Sequence, residues 1–298
     1  MGIKHLVISG GGPSGLYAYG AAKVLAKDEF WNINEIKTIY GTSIGAFIGV
    51  ILSLKYDWQI IDDYLIKRPW EKLIDISPEN IFNVWESKGL IGFEFMTESL
   101  KPLLEAKELK LDITLKELHE YNNIEIHMFA VDLNSMPLQA TDISYKTFPD
   151  LQLVKALTMT AAIPFIFKPV IIDNKCFVDG GLVLNFPLDA CLKDTECERD
   201  EVLAFKNLKL LDASNKLSIV TESTSLGGFW YYMTKVLVNQ VNGKTHQPVV
   251  PNIVNCIIDD VCGYSDWAKI LETRECREKC IKNGETSAHI FKTYKTLH

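Results

Sequence analysis

Residues 36–54 read IKTIYGTSIGAFIGVILSL, and this stretch decides the fold. Its first part is typical of a strand, its last part is long and apolar, and between them lies Gly41-Thr42-Ser43-Ile44-Gly45. A strand that reverses sharply into a helix leaves no room for side chains two residues before and after the residue at the apex. The stretch therefore predicts a strand, a strained turn that presents Ser43 as a nucleophile, and a buried helix. Periodicity alone does not separate that helix from a buried strand.

A second glycine motif, Gly10-Gly11-Gly12-Pro13-Ser14-Gly15, follows the strand-like run HLVIS at residues 5–9 and precedes helix formers at 16–27. Backbone N–H groups at a helix N-terminus are unsatisfied donors in a positive field. They suit either a phosphate or the oxyanion that develops when a serine attacks an ester. The glycines of this loop are therefore candidate anion-binding residues, and the motif alone does not choose between the two anions.

The same loop also fits the dinucleotide-binding fingerprint through Gly10, Gly12 and Gly15. That fingerprint expects an acidic residue about twenty positions further on, at the end of the second strand, to hold the ribose hydroxyls. Here the second strand ends at Tyr40-Gly41, the serine turn takes that place, and the nearby acids precede the strand. A flavin- or dinucleotide-binding oxidoreductase stays an alternative with an incomplete fingerprint, and flavin absorbance would support it.

A nucleophilic serine needs a base, which is usually a histidine oriented by a carboxylate. The six histidines offer little: His5 lies in the first predicted strand, His119 and His127 flank a polar stretch, and the three late histidines follow no recognisable strand-end loop. The more informative acid is Asp179, in Phe177-Val178-Asp179-Gly180-Gly181. An Asp-Gly pair by itself usually marks only a turn, so the residues around it decide its interpretation.

Residues 156–188 contain Ala161-Ala162-Ile163-Pro164, Val178-Asp179-Gly180-Gly181 and Asn185-Phe186-Pro187-Leu188, in that order. With the glycine-rich loop and the Gly-x-Ser-x-Gly turn before them, they resemble the patatin family of acyl hydrolases over residues 4–190. Each motif is common by chance. Their shared order, with suitable strand and helix contexts, makes the resemblance specific.

The resemblance implies a serine–aspartate dyad with Ser43 as the nucleophile and Asp179 as the general base. It implies an oxyanion and substrate-binding loop formed by Gly10, Gly11, Gly12 and Gly15. It implies motif-supporting glycines at Gly41, Gly45, Gly180 and Gly181. It requires neither a metal nor a cofactor. An aspartate with a pKa near 3.9 is a poor base at neutral pH, so the site is expected to be partly desolvated.

Ser14 departs from the family pattern, which usually has an arginine or lysine just before the last glycine of the oxyanion loop. The lost charge weakens the orientation of an anionic headgroup, so it bears on a phospholipid preference more than on acyl hydrolysis. A serine hydroxyl can donate one neutral hydrogen bond instead. A catalytically silent lipid-binding protein is a further alternative, and it would bind lipid without serine labelling.

The alternation of strand-like and helix-like runs predicts an α/β protein with a three-layer, patatin-like fold, in which helices flank a mainly parallel central sheet. Strands are expected near residues 4–9, 36–40, 124–131, 175–179, 202–206 and 252–258. Helices are expected near residues 15–27, 44–54, 94–106, 151–159, 183–193 and 228–241. Residues 1–195 are expected to form the catalytic core, and residues 196–298 to complete the same domain.

Ser43 and Asp179 both follow predicted strands, so both are expected at the carboxyl ends of parallel strands, where α/β sheets bind ligands. A conventional α/β-hydrolase triad is disfavoured, because only one predicted strand precedes the strand that leads to the serine turn.

The composition of the chain indicates which binding partners and which cellular compartment to expect. The net charge of −7 argues against nucleic acid and against adsorption to an anionic bilayer, so apolar contacts must draw the protein to a lipid or membrane-surface substrate. The N-terminus lacks a secretory signal and no apolar run reaches 18 residues, which predicts a cytoplasmic protein without an integral membrane segment. Seven cysteines, an odd number, fit thiols in a reducing compartment.

Two aromatic regions have no assigned role in this scheme. Residues 60–92, with Trp70 and Trp85, form a less regular insertion that suits either a lid or, more simply, a packed subdomain. The run Phe229-Trp230-Tyr231-Tyr232 suits either a membrane interface or a core.

Overall fold

Strands and helices alternate along most of the chain, of which the computed structural model describes residues 2–74, 84, 86–209, 220–242, 248–258 and 269–297. The strands are β1 (His5–Ile8), β2 (Thr38–Thr42), β3 (Gly89–Ile91), β4 (Glu125–Asp132), β5 (Ala140–Ile143), β6 (Phe165–Phe167), β7 (Val170–Ile172), β8 (Lys175–Asp179), β9 (Val202–Lys209) and β10 (Ile253–Ile258). The helices are α1 (Gly15–Lys27), α2 (Ile44–Ser53), α3 (Trp58–Lys67), α4 (Phe93–Glu105), α5 (Leu115–Asn122), α6 (Leu153–Ala161), α7 (Leu188–Thr195), α8 (Leu226–Asn242) and α9 (Arg274–Leu297).

The central sheet has the strand order β10-β9-β1-β2-β4-β8-β7, with β5 also paired to β4. The five strands from β10 to β4 are mutually parallel. Strands β5, β7 and β8 run antiparallel to their partners. A separate two-stranded parallel sheet joins β3 and β6. The prediction of an α/β fold with a mainly parallel sheet flanked by helices is confirmed.

The two faces of the sheet pack against different helices because side chains alternate along each strand. Leu6, Ile8 and Ile39 join the large cluster that also contains apolar residues of α1, α2, α4, α6 and α9. Val7 and Tyr40 join a smaller cluster with residues of α7 and β9. The central strands are therefore buried on both sides, as three layers require.

The predicted elements are close to the observed ones, with one clear boundary error. The helix expected at 183–193 begins only at Leu188, after Pro187. A residue before proline is disfavoured in the helical region, so Phe186 cannot easily continue a helix into Pro187. Helices α3, α5 and α9 were not predicted.

Helix α9 packs along α1 in close contact. A side chain at Gly284 of α9 would lie 2.0 Å from the carbonyl oxygen of Tyr17, and one at Gly20 of α1 would lie 2.1 Å from that of Ile281. The backbones of the two helices thus approach at two glycines that face each other's helix. The buried residues of α9 recur at steps of three and four, and Cys280, Ile281, Ala288 and Phe291 among them join the core.

The insertion at residues 60–92 contributes packed aromatic side chains. Trp70 is buried and stacks edge-on against Phe47 and Tyr64. Trp85 lies outside the described residues. Within the described ranges, no helix combines the length and apolar character needed to span a bilayer, and no disulfide joins the cysteines.

Candidate active site

Ser43 occupies a strained turn between β2 and α2. Its backbone has φ 55° and ψ −125°, a combination that residues other than glycine rarely adopt. Ser43 directly precedes the first residue of α2. The side chain is buried, with the residue 5% exposed. The turn predicted from the sequence therefore exists, and it lies at the end of a central strand.

The glycines around Ser43 are there because backbone passes too close for a side chain. A Cβ at Gly45 would lie 2.3 Å from the carbonyl oxygen of Ile8, in β1. A Cβ at Gly41 would lie 2.6 Å from the backbone nitrogen of Ala46, in α2. Both positions therefore exclude larger residues, which is the requirement that the spacing predicted.

Asp179 lies beside Ser43 and is equally buried, at 5% exposure. Its carboxylate forms a hydrogen bond with the Ser43 side chain and accepts another from the Gly181 N–H at 2.7 Å. Burial raises the pKa of Asp179 to about 6, although both hydrogen bonds favour the charged carboxylate and oppose the rise. A carboxylate that is ionised near neutral pH and yet basic is suited to accept a proton from the serine.

The sheet brings these two residues together in an unexpected way. Strand β8 is antiparallel to β4 and pairs only with the last three residues of β4, Ala130 to Asp132. In this register Asp179 lies opposite Ala130. Strand β2 pairs with the preceding part of β4 and ends with Thr42 opposite Phe129. Asp179 thus lies one step beyond Thr42 along β4. The expectation that Asp179 follows a parallel strand is wrong, yet the residue does lie at the carboxyl end of the parallel strands.

Thr160, in α6, holds the serine turn and was not predicted. The Ser43 N–H donates to Thr160 Oγ1 at 3.0 Å, and the Thr160 hydroxyl donates to the Phe129 carbonyl. The Ser43 N–H is therefore committed to the scaffold. That amide is not available to an oxyanion at Ser43.

The glycine loop of residues 10–15 lies nearby and offers backbone N–H groups as donors to an oxyanion. The Gly10 N–H already donates to the Asn185 carbonyl at 2.9 Å, and the Gly15 N–H donates to the Gly12 and Pro13 carbonyls. Gly10 and Gly15 therefore hold the loop in place. Among the expected oxyanion residues, Gly11 and Gly12 are the ones whose amides have no backbone acceptor in the described part of the chain, so they are the candidates for a ligand.

Ser14 points into the protein, where it is 1% exposed. Its hydroxyl donates to the Gly11 carbonyl at 2.8 Å and accepts from Asn207 Nδ2, also at 2.8 Å. The same amide group reaches the Gly10 carbonyl at 3.0 Å. Ser14 and Asn207 together brace the loop from inside, so the hydroxyl is not a contact for a headgroup. Asn207, in β9, lies outside every motif of the sequence and could not be found from them.

A cavity of about 160 Å³ opens beside Ser43. Its lining is mostly apolar and comes from α1 to α4, β3 and the segments 12–13, 70–74, 161–167 and 270–277, with Leu16, Phe47, Phe95, Met96 and Phe167 among the members and Arg277 as the charged one. Gly12 of the glycine loop also lines it. An apolar chain attached to an ester carbonyl at Ser43 would fit this environment.

His127 and His119 are engaged with other side chains. His127 lies between Glu125 and Asp142, with a nitrogen-to-oxygen distance of 2.9 Å on each side. Burial opposes protonation of its ring, but the two carboxylates outweigh that effect and raise its pKa. His119 stacks on Tyr145.

A separate group of potential metal ligands lies at the start of β1, the end opposite the glycine loop. The ligand atoms of His5, Cys197 and Glu201 lie within 4.8 Å of one another. The Lys4 ammonium pairs with Glu201, and His5 Nδ1 bonds to Thr38 Oγ1 at 2.8 Å. A metal ion there would compete with Lys4, so we assign no metal to this group.

Comparison with known proteins decides the family. The family model for the patatin-like phospholipases matches residues 6–192. The chain belongs to this family. The resemblance predicted from its motifs is therefore confirmed, and in this patatin-like chain the match begins in β1 and ends within α7.

Relatives of this patatin-like chain include two viral proteins. The probable lipid hydrolase 463L of Invertebrate iridescent virus 6 is 31% identical over 192 residues, which is 64% of this chain and 63% of that protein. The uncharacterized protein R571 of Acanthamoeba polyphaga mimivirus is 27% identical over 205 residues, which is 69% of this chain and 66% of that protein. The match thus spans less than two thirds of either relative.

Among solved structures, VipD from Legionella pneumophila resembles the patatin-like chain with a TM-score of 0.54 and 17% sequence identity. The likeness covers 98% of this chain and 67% of that one. At this identity it shows a shared fold, and it extends past residue 192 into the part of the chain that the family model does not match.

Proposed function

We propose that this protein hydrolyses acyl esters of lipids, with Ser43 as the nucleophile and Asp179 as the general base. The observation that carries the proposal is the hydrogen bond between a buried Asp179 carboxylate and the side chain of Ser43, which lines an apolar cavity. Membership of a phospholipase family supports the same reaction class. A histidine between the serine and the aspartate is not needed for proton transfer, because the Asp179 carboxylate contacts the Ser43 hydroxyl directly.

In the first step Ser43 Oγ attacks the ester carbonyl carbon while its proton passes to the Asp179 carboxylate. The carbonyl oxygen becomes an oxyanion, for which the Gly11 and Gly12 amides are the proposed donors; one such donor is typically worth about 10²- to 10³-fold in rate. The intermediate collapses to acyl-Ser43, and the alcohol leaves with the proton from Asp179. Water then attacks the acyl-serine, gives its proton to Asp179 and releases the fatty acid, and the proton returns to Ser43.

The apolar cavity supports an acyl chain as the part of the substrate that the protein holds beside Ser43. Ser14 stands where the family usually has a basic residue, and its hydroxyl is engaged with Gly11 and Asn207. No charge of this loop is therefore directed at an anionic headgroup. We infer that the acyl chain, more than a phosphate, defines the substrate.

Intact mass after incubation with a fluorophosphonate tests the proposal, because this reagent reacts only with an activated serine. The wild type should gain one adduct, Ser43→Ala should gain none, and Asp179→Asn should react at least about 100-fold more slowly, the usual worth of a positioned base. The labelling rate of the wild type should also fall as the pH drops below about 6, where Asp179 becomes protonated.

Ser53→Ala is the matched control, since Ser53 is a buried serine at the end of α2, the helix that follows Ser43, and its hydroxyl donates to the Val50 carbonyl. It should label like the wild type. A folded wild type that gains no adduct, or a Ser43→Ala variant that gains one, would overturn the assignment. Fatty acid release from acylglycerol and phospholipid substrates then distinguishes a hydrolase from a protein that only binds lipid.

A further inference from the structure

Helix α8 exposes apolar side chains along one side. Leu226, Phe229, Leu237 and Val241 are exposed by 60%, 42%, 55% and 44%. At 100° per residue these four positions fall within about one third of the helix circumference. We call this set the α8 apolar face. Large apolar side chains that share one exposed side of a helix mark a surface that another body covers.

The same helix is almost free of charge. Lys235 is the one charged residue between Leu226 and Asn242. The aromatic run Phe229-Trp230-Tyr231-Tyr232 also belongs to this helix, and such rings favour the boundary between lipid and water. Basic residues, which draw many interfacial helices to anionic lipids, are missing from its sequence apart from Lys235.

The α8 apolar face is continuous with the candidate active site. Helix α8 contacts the turn at residues 180–182, which directly follows Asp179. Trp230 stacks on Phe165, with ring centroids 4.4 Å apart, and Phe165 is itself 43% exposed. Its neighbours Ile163, Ile166 and Phe167 line the cavity beside Ser43. Apolar surface thus runs from the outside of α8 to the cavity.

We propose that the α8 apolar face docks the protein on the surface of a zwitterionic phospholipid bilayer. This inference rests on the proposed function, because a lipid hydrolase must take its substrate from a lipid phase. The net charge of −7 and the uncharged character of α8 make apolar contact the source of the attraction. Docking through this face would bring Phe165 and the cavity-lining residues beside it towards the lipid surface, so that an acyl chain enters the cavity from the bilayer.

Flotation of the full chain with phosphatidylcholine vesicles tests the docking surface. The wild type should float with the vesicles, and the double variant Phe229→Ser/Leu237→Ser should lose at least tenfold in partition coefficient. The matched control is Ile290→Ser/Tyr294→Ser, which removes two apolar side chains of α9 that are 54% and 64% exposed. It should float like the wild type. Thermal unfolding by circular dichroism checks that each variant is folded.

The lipid dependence is the second readout. Because the attraction is apolar, adding phosphatidylserine to the vesicles should not strengthen binding, and raising NaCl from 0.1 to 0.5 M should not release the protein. Binding that needs phosphatidylserine and disappears at high salt would overturn the proposal. Equal loss in both double variants would also overturn it.

A second copy of the chain is the competing occupant of the α8 apolar face. Sedimentation equilibrium distinguishes the two occupants. A wild type that is a dimer, together with a Phe229→Ser/Leu237→Ser variant that is a monomer, would overturn the docking proposal. The outcomes separate it from the proposed function as well. Vesicle binding through α8 without fluorophosphonate labelling would refute the hydrolase alone, whereas labelling without vesicle binding would refute the docking alone.

Discussion

At the scale of single residues, the buried carboxylate of Asp179 is the most consequential group. The protein keeps it away from water and compensates with hydrogen bonds from Ser43 and Gly181. The result is a base stronger than an exposed aspartate, obtained at a cost in folding stability. Strained or desolvated groups of this kind are typical of catalytic sites.

Replacing Asp179 by asparagine should therefore stabilise the protein while it removes activity. The pKa of Asp179 rises from 3.8 to about 6, and a shift of two units corresponds to about 3 kcal/mol. A carboxyl group whose pKa is higher in the folded than in the unfolded protein contributes its full stability at pH values below the unfolded-state pKa. That contribution is lost as the pH rises through the folded-state pKa. Asp179→Asn should thus unfold at higher urea than the wild type at pH 8, by up to about 3 kcal/mol.

The difference should shrink as the pH falls from 7 towards 4, because the wild-type carboxyl then becomes neutral in the folded state. Urea unfolding at several pH values measures it. An Asp179→Asn variant that is less stable than the wild type at pH 8 would show that the carboxylate hydrogen bonds outweigh its desolvation.

Asn207 should act as a positioning residue for the glycine loop. Its amide donates to the Gly10 carbonyl and the Ser14 hydroxyl, and its Oδ1 is buried without a hydrogen-bond partner among the described residues. Asn207→Ala should lower kcat/KM for ester hydrolysis by about 10- to 100-fold, part of what an oxyanion donor contributes. Asn207→Asp should lower it further, because a carboxylate would face the Gly10 carbonyl.

Asn252→Ala is the matched control, since Asn252 is a buried asparagine whose amide donates to the Asp200 carbonyl at 2.8 Å. Its kcat/KM should stay near that of the wild type. If Asn207→Ala changes unfolding but leaves kcat/KM intact, the residue supports the fold alone.

At the scale of elements, α9 is tied to its neighbours by one buried cation. Arg277 is 3% exposed and donates to the carbonyls of Ile66, Arg68, Ile270 and Leu271. These carbonyls lie at the end of α3 and in the segment before α9. The partial negative charge at the end of α3 favours a cation there. Burial lowers the pKa of Arg277, and the carbonyls take the place of its lost water.

Arg277→Met should destabilise the protein by about 3 kcal/mol, because the carbonyls that face Arg277 would lose buried donors. Arg277→Lys should recover only part of that loss, since one ammonium cannot match the five-donor fork of a guanidinium. Urea unfolding measures both variants. Arg274→Met is the control, because Arg274 is exposed and makes one 3.4 Å contact to the Lys67 carbonyl; equal effects at the two positions would contradict the prediction.

At the scale of the whole molecule, the sheet continues past the segment that matches the family. The whole length of β1 pairs with the first half of β9, from His5 opposite Val202 to Ile8 opposite Phe205. Strand β10 then pairs with β9, and α9 covers α1. These contacts support the proposal that residues 196–298 complete the domain begun by residues 1–195.

A chain that ends at residue 195 should not fold. It would expose the edge of β1 and the apolar side of α1, and it would lose Asn207 from the glycine loop. Far-UV circular dichroism, urea unfolding and fluorophosphonate labelling measure the outcome. A chain that ends at Tyr294 should behave like the full chain, because residues 295–297 lie in the exposed last turn of α9. Cooperative unfolding of the short chain would refute the prediction.

Local sequence determined the serine turn, the glycine loop and the central β1–α1–β2–α2 unit. Two glycines flanking Ser43, an apolar strand before it and an apolar helix after it are recognisable in the sequence, because strand and helix propensities and the close approach of Gly41 to Ala46 are local. Motif order then predicted the family and the parallel sheet. It also brought Asp179 into consideration, although an Asp-Gly pair alone indicates only a turn.

Tertiary structure alone decided the direction of β8, the roles of Thr160 and Asn207, and the packing of α9. Each depends on contacts between residues far apart in sequence, such as Asn207 with Gly10, or Arg277 with Ile66. Side-chain hydrogen bonds to distant backbone leave no pattern in the sequence, and a short strand reads the same whether its partner is parallel or antiparallel. Such features exist only once the chain has folded and its distant backbone groups have found partners.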